Sequence, residues 1–244
     1  MIGRNALTVR GLVKRYGRRT VLDGLSLGVP AGCVMGVVGP NGAGKTTWMM
    51  AVAGLITIDG GEISLFGEGP FDARRHSGRL AMLPQDAELP LEATPMGFLT
   101  GLGRLQGLSA AAARVSAADA LARLSLSDRA KATIRSLSHG MRKRLMSAQC
   151  LIGAPELVLL DEPMNGLDPE MADQFRKLVL AKPADRTVVI SSHNLNDLER
   201  LCTHIAFFDR GKVELAATIQ ELTEKFGSLE AAYLARRSHQ EGLP

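Results

Sequence analysis

Apolar positions recur along the chain with two different periods, and the places where the period changes mark out its elements. In the first forty residues the pattern is that of short strands. They are Leu7–Val13, then Thr20–Val29 with Val21, Leu25, Leu27 and Val29 apolar, then Cys33–Val38. Gly17, Pro30-Ala31-Gly32 and Gly39-Pro40 punctuate them. The run from Cys33 to Val38 is apolar throughout, as a strand covered on both faces should be. After Gly44 the spacing becomes helical through Lys45–Ala53 and ends at Gly54. The result is a strand-loop-helix unit.

Further strands are expected at Gly61–Phe66 and Arg79–Leu83. From Thr94-Pro95 to about Cys150 the spacing predicts helices only. These are Pro95–Leu105, then Ser109–Leu124 with Val115, Ala118, Leu121 and Leu124 on one face, then one that begins near Ser138. Strands return at Glu156–Leu160 and Thr187–Ser191, each followed by a helix, and again at His204–Phe208 and Lys212–Leu215. This alternation predicts an α/β chain with a mostly parallel sheet around a helical insert at about 87–150.

A length of 244 residues suits one domain of the larger kind. With 45% hydrophobic and 22% charged residues the chain closes a sizeable core. Aromatic residues are only 4%, which argues against a stacking surface for single-stranded nucleic acid. The net charge of +4 is mild and scattered; it permits weak attraction to anionic lipid, nucleotide or RNA, and charge alone picks no partner. No nucleic acid is expected as a partner. Cys33, Cys150 and Cys202 are widely spaced and odd in number; neither a disulfide framework nor a zinc site is expected, and a reducing compartment fits best. No stretch approaches the roughly 18 apolar residues of a membrane span. The opening Met1-Ile2-Gly3-Arg4-Asn5 does not read as a secretory signal, so work at a membrane is expected of a soluble subunit.

Gly39-Pro40-Asn41-Gly42-Ala43-Gly44-Lys45-Thr46 fits the phosphate-loop pattern G-x-x-x-x-G-K-[ST], with a buried strand before it and a helix after it. Its glycines let successive N–H groups turn toward one anion, and the helix start adds its positive dipole end. Lys45 is expected to reach the β- and γ-phosphates and Thr46 to ligate Mg2+. The second half of such a site needs carboxylates at the end of a buried strand. Leu157-Val158-Leu159-Leu160-Asp161-Glu162 supplies them, with Asp161 for the metal's water shell and Glu162 to polarise the attacking water.

At this point the residues resemble the nucleotide-binding subunit of ATP-binding cassette (ABC) transporters, over nearly the whole chain. Leu137-Ser138-His139-Gly140-Met141 stands about where that family has Leu-Ser-Gly-Gly-Gln, at a helix start. The resemblance implies that Ser138 and Gly140 close on ATP held by a second ATP-binding subunit, in a homodimer; read alone, Ser138 is a plain N-cap. Met141 followed by Arg142-Lys143-Arg144 is similar to the ABC-2 exporter group, and His139 in place of the first Gly puts turnover in doubt more than binding. The basic run itself has the usual meaning of a solvated helix face.

The resemblance also implies that Gln85 touches Mg2+ or the attacking water, that Asp168 in Asn165-Gly166-Leu167-Asp168-Pro169 crosses to the partner's phosphate loop, and that His193 contacts the γ-phosphate. It gives Tyr16 the task of stacking on adenine and extends the nucleotide set to Thr47. Asp168 equally suits a helix cap, and Gln85 and Tyr16 suit bland structural roles. The implied fold is an α/β P-loop NTPase core with an N-terminal antiparallel β subdomain and an inserted α-helical subdomain. It makes one ABC ATPase domain over 1–244, with a short helical tail at about 218–244. The implied activity is ATP hydrolysis with Mg2+, driving a separate transmembrane permease, as an exporter more than an importer, at the cytoplasmic face of the cell membrane. A guanine-reading Asn-Lys-x-Asp stretch, a long coiled coil and a second cassette are all missing from the sequence, which argues against a GTPase, a chromosome ATPase and a translation factor. A small-molecule kinase would not need Ser138 and Asp168. A non-hydrolysing ATP-gated adaptor stays open because of His139.

Overall fold

The computed structural model describes residues 4–149, 152–181 and 184–241, so Cys150, Met1–Gly3 and the last three positions lie outside the described residues. In chain order the elements are β1 (Asn5–Tyr16), β2 (Arg19–Pro30), β3 (Val34–Val38), α1 (Lys45–Val52), β4 (Gly60–Leu65), β5 (Leu80–Leu83), α2 (Pro95–Leu105), α3 (Ala110–Arg123), α4 (His139–Ala148) and β6 (Leu157–Asp161). They continue with α5 (Pro169–Leu180), β7 (Thr187–Ser191), α6 (Leu195–Leu201), β8 (His204–Asp209), β9 (Lys212–Thr218), α7 (Ile219–Phe226) and α8 (Leu229–Glu241). The chain divides into two compact units, one formed by 1–71 with 184–244 and the other by 72–183.

In the first unit β2, β1 and β4 form an antiparallel sheet in that order. Leu7, Val9 and Leu12 of β1 are buried between their neighbours. The strand kinks where Gly11, at φ +57, interrupts the register. All five residues of β3 are buried, because β7 and β8 flank it on either side in parallel register. A hairpin through Arg210 and Gly211, both at positive φ, returns the chain as β9, antiparallel to β8. Glycine is needed there, since a Cβ on Gly211 would lie 2.3 Å from the Val21 carbonyl oxygen. Cys33 and Cys202 are buried, and burial pushes the Cys202 thiol well above its ordinary value, so it stays protonated.

In the second unit β5 and β6 pair in parallel, Leu83 opposite Leu160. The helices pack around Leu99, Leu121, Leu126, Ile134, Leu145 and Ile152. The starts of α2, α3, α4 and α5 are each capped by a side chain. Thr94, Ser109, Ser138 and Asp168 each accept a backbone N–H from three residues on.

Half of one expected face is wrong. Leu121 and Leu124 are buried as expected, but Val115 is 71% exposed and Ala118 is also exposed, and Ala113, Ala117 and Ala120 are buried in their place. The reason lies in α2. A Cβ on Gly103 would come within 2.9 Å of the Ala113 Cβ, so the two helices meet through small residues and the larger Val115 is turned outward. The tail read as helical at about 218–244 is built from more than one helix. Two helices, α7 and α8, occupy it, and the first is opened by a reciprocal cap between Thr218 and Glu221.

Candidate nucleotide-binding site

The expected site residues are divided between the two units. Tyr16, Gly39 to Thr47 and His193 belong to the first, and Gln85, Ser138, Gly140, Asp161, Glu162 and Asp168 to the second.

In the first unit the buried strand β3 runs out at Val38 and the chain turns into α1 through Gly39, Pro40, Asn41, Gly42, Ala43 and Gly44. Two glycines are fixed by the backbone itself. Gly44 sits at φ +101 with its Cβ position 2.8 Å from Leu22 Cδ2, and a Cβ on Gly39 would meet the Phe208 carbonyl oxygen at 2.2 Å. No side chain fits at either place, so the loop wraps tightly onto the start of α1, where N–H groups lack intrahelical partners. The Lys45 ammonium is buried and donates to the carbonyls of Gly39 (2.7 Å) and Pro40 (3.2 Å). Thr46 is exposed and Thr47 half-buried on the first turn.

Parallel pairing brings a second expected residue to the same strand ends. Val37 of β3 lies opposite Ser191 of β7, and Ser192 N–H donates to the Val37 carbonyl at 3.3 Å. His193 follows directly and is exposed, and Asn194 then caps α6. Tyr16 ends β1, is 50% exposed, and has the Lys14 ammonium 5.0 Å from its ring centre. Arg19, just across the hairpin, places Nη2 3.6 Å from the Cβ position of Gly42. That guanidinium beside the loop was not foreseen, because nothing in the sequence ties residue 19 to residue 42.

In the second unit β5 and β6 deliver Gln85, Asp161 and Glu162 to one cleft of about 230 Å³, which Lys143 of α4 and Asn165 also line. Asp161 is 1% exposed at the strand end. Glu162 follows with φ +49, a left-handed conformation that costs a non-glycine residue about 1–3 kcal/mol and concentrates at functional positions. The turn it starts is held by Asn165 N–H donating to the Glu162 carbonyl at 3.1 Å.

Ser138 Oγ accepts the Met141 N–H at 3.2 Å, and Asp168 Oδ1 accepts the Met171 N–H at 2.8 Å. Both residues are therefore helix caps, the structural reading that the sequence left open for each. The tips lie close together, since a Cβ on Gly140 would approach Met171 Sδ to 3.3 Å. His139 is exposed at the first position of α4. The basic run after Met141 is not a solvated face. Arg142 Nε donates to the Leu137 carbonyl (3.1 Å), Lys143 Nζ to that of Asn165 (3.3 Å) and Arg144 Nη1 to that of Leu124 (3.2 Å).

The donors expected for a metal are divided between the units, Thr46 in the first and Gln85 and Asp161 in the second. Each offers oxygen, the ligand type that Mg2+ takes, and a carboxylate as buried as Asp161 is suited to a cationic partner. The loop, with its two spaces that exclude any side chain and its buried ammonium, fits a phosphate chain.

The ABC transporter family matches residues 22–165. Daunorubicin resistance ATP-binding protein DrrA3 of Streptomyces coeruleorubidus is 38% identical over 242 residues, which cover 97% of this chain and 76% of that protein. Daunorubicin/doxorubicin resistance ATP-binding protein DrrA of Streptomyces peucetius is 38% identical, with 91% of this chain and 68% of that protein covered. Nod factor export ATP-binding protein I of Ralstonia nicotianae is 38% identical over 84% of this chain and 65% of its own length, so the chain spans about two thirds to three quarters of these relatives. Among solved structures, an ATP-binding subunit of an ABC transporter superposes with a TM-score of 0.83 at 26% identity, covering 94% of this chain and 98% of that one. A nucleotide-free ATP-binding cassette from an ABC transporter superposes at 0.79 with 23% identity and bears on the fold alone. With more than half its length matched by the family and a relative 38% identical along nearly all of it, the chain belongs to the ABC transporter family, among its ATP-binding subunits.

Proposed function

We propose that this chain is an ATP-hydrolysing motor that pairs with a second ATP-binding subunit, an identical copy, on Mg·ATP and drives export through a separate transmembrane permease at the cytoplasmic face of the cell membrane. The observation that carries it is the cleft at the ends of β5 and β6, where the buried Asp161 and the left-handed Glu162 open onto one space with Gln85. Phosphoryl transfer asks a protein mainly for positioning and charge neutralisation. Relatives named for Nod factor export and daunorubicin resistance support export as the direction. Among the described residues no helix is long and apolar enough to cross a membrane.

In this reading the whole chain is one ABC ATPase domain, with the helices of about 87–150 as its inserted subdomain and about 218–244 as its tail. The loop from Gly39 to Thr47 holds the phosphates, and Tyr16 stacks on the adenine. Thr46, Asp161 and Gln85 hold Mg2+, which when bound neutralises charge on the phosphates. Glu162 takes the proton of the attacking water, and His193 orients that water toward the γ-phosphate. Ser138 and Gly140 contact the nucleotide of the partner copy, and Asp168 contacts its phosphate loop. ATP then holds the dimer closed, and hydrolysis lets it open.

The test is Glu162→Gln. Phosphate release should fall at least about 100-fold, the usual range for losing a general base. ATP affinity should persist, and an ATP-bound dimer should accumulate in size-exclusion chromatography. Unchanged turnover overturns the role of Glu162. A second reading, an ATP-gated adaptor with little turnover, is favoured only by His139 beside Ser138. It predicts ATP-dependent pairing without phosphate release in the wild-type chain.

A further inference from the structure

We propose that Lys143 is a positioning residue that fastens the 165–168 turn to helix α4, so that Ser138 and Asp168 are presented as one rigid edge. This rests on the proposed roles of those two residues and of Glu162. Four observations within the second unit carry it. Lys143 Nζ donates to the Asn165 carbonyl at 3.3 Å and lies 3.8 Å from the Cβ position of Gly166. Arg142 and Arg144, on either side, are bound to the Leu137 and Leu124 carbonyls, so α4 is gripped from three directions and Lys143 alone of the three reaches the turn. The same lysine lines the cleft that holds Asp161 and Glu162. Its own carbonyl accepts the Ser147 hydroxyl at 3.3 Å.

The physical consequence follows from where the turn starts. Glu162 takes a strained backbone conformation, and a strained residue keeps its geometry only when its surroundings over-determine it. The turn it opens closes through Asn165 N–H to the Glu162 carbonyl and Leu167 N–H to the Met164 carbonyl. A charged donor on the Asn165 carbonyl fixes the far side of that turn. Lys143 thereby couples the carboxylate end of the site to the helix tip.

The experiment compares full-length wild type with Lys143→Met, which keeps the length of the side chain and removes the donor, and Lys143→Arg, which restores one. Hydrogen exchange at the Asn165 and Leu167 amides, read without nucleotide, should speed up about tenfold in K143M and return toward wild type in K143R. ATP hydrolysis should show kcat down about tenfold in K143M with KM for ATP within about twofold, and recovery in K143R. Unchanged amide exchange in K143M overturns the fastening. Faster exchange with an unchanged kcat overturns the positioning role. Equal damage in K143M and K143R, or a loss of kcat that only tracks a general fall in Tm, also overturns it. A wild-type chain that binds ATP and releases no phosphate brings down the motor reading and the kinetic consequence with it, while amide exchange still decides the fastening.

Discussion

The Lys14 ammonium sits over the Tyr16 ring, 5.0 Å from its centre, on a side chain only 10% exposed. Asp59 stands 4.0 Å from the same ammonium and accepts the Arg15 N–H at 2.6 Å, so one carboxylate fixes both the lysine and the backbone that leads to the tyrosine. A buried lysine is unusual unless paired, and here the pairing supports a half-exposed aromatic ring.

If Tyr16 stacks on adenine, Lys14→Met should raise KM for ATP about two- to fivefold, the equivalent of a cation–π contact of about 0.5–1 kcal/mol. The kcat should stay the same. Isothermal titration with inorganic tripolyphosphate, which has no base, is the control and should show no change. Equal weakening for both ligands assigns Lys14 to the phosphate loop instead.

Glycine replacements should separate the cradle from ordinary glycines. Gly44→Ala puts a methyl into Leu22 at a backbone angle that alanine resists, so thermal unfolding should reveal a loss of at least about 1–3 kcal/mol and ATP binding should fail. Gly101→Ala, on exposed α2 with nothing within 4 Å, should raise stability by about 0.5–1 kcal/mol through helix propensity and leave ATP binding alone.

His139→Gly restores the residue that the wider family has beside Ser138. Steady-state phosphate release should increase at saturating ATP if the imidazole slows closure, with the affinity for ATP held. A flat result removes the side chain from the rate and leaves the adaptor reading without its one support.

The tail supplies a pH test. The Glu221 carboxyl is held below its ordinary value first by the Thr218 backbone N–H and then by the Thr218 hydroxyl. A depressed folded pKa means that the stabilisation is present above the unfolded value, near 4.5, and is lost as the pH falls through the folded one. Wild type should therefore melt higher than Glu221→Gln at pH 7, and the difference should shrink away below about pH 4. A difference that persists in acid assigns the effect to something other than the charge.

The phosphate loop was legible because its residues are contiguous and its context, apolar strand before and helix after, is local. The caps at Ser138 and Asp168 were legible for the same reason. The capping box at Thr218 and Glu221 carried an equally local signal, T-x-x-E, and marks the start of helix α7 at the head of the tail. Other features had no such signal. The first half of the buried face of α3 was misread, with Val115 taken for Ala113 and Ala117, because valine outranks alanine in apolarity, while the actual constraint is a close approach to Gly103 of α2. Arg142, Lys143 and Arg144 read as solvent-facing because a backbone carbonyl leaves no mark in a sequence, and their partners lie 5, 22 and 20 residues away. The left-handed Glu162 was equally silent, since its residue type does not advertise that angle.

The chain's one tryptophan, Trp48, lies three positions beyond Lys45, fully buried on α1 with its ring edge-on to Phe208 at 5.5 Å. The molecule thus carries a single native indole inside the helix that the phosphate loop opens. Tryptophan emission from an unlabelled sample, excited where tyrosine absorbs little, reports on that one helix at each stage of a nucleotide titration.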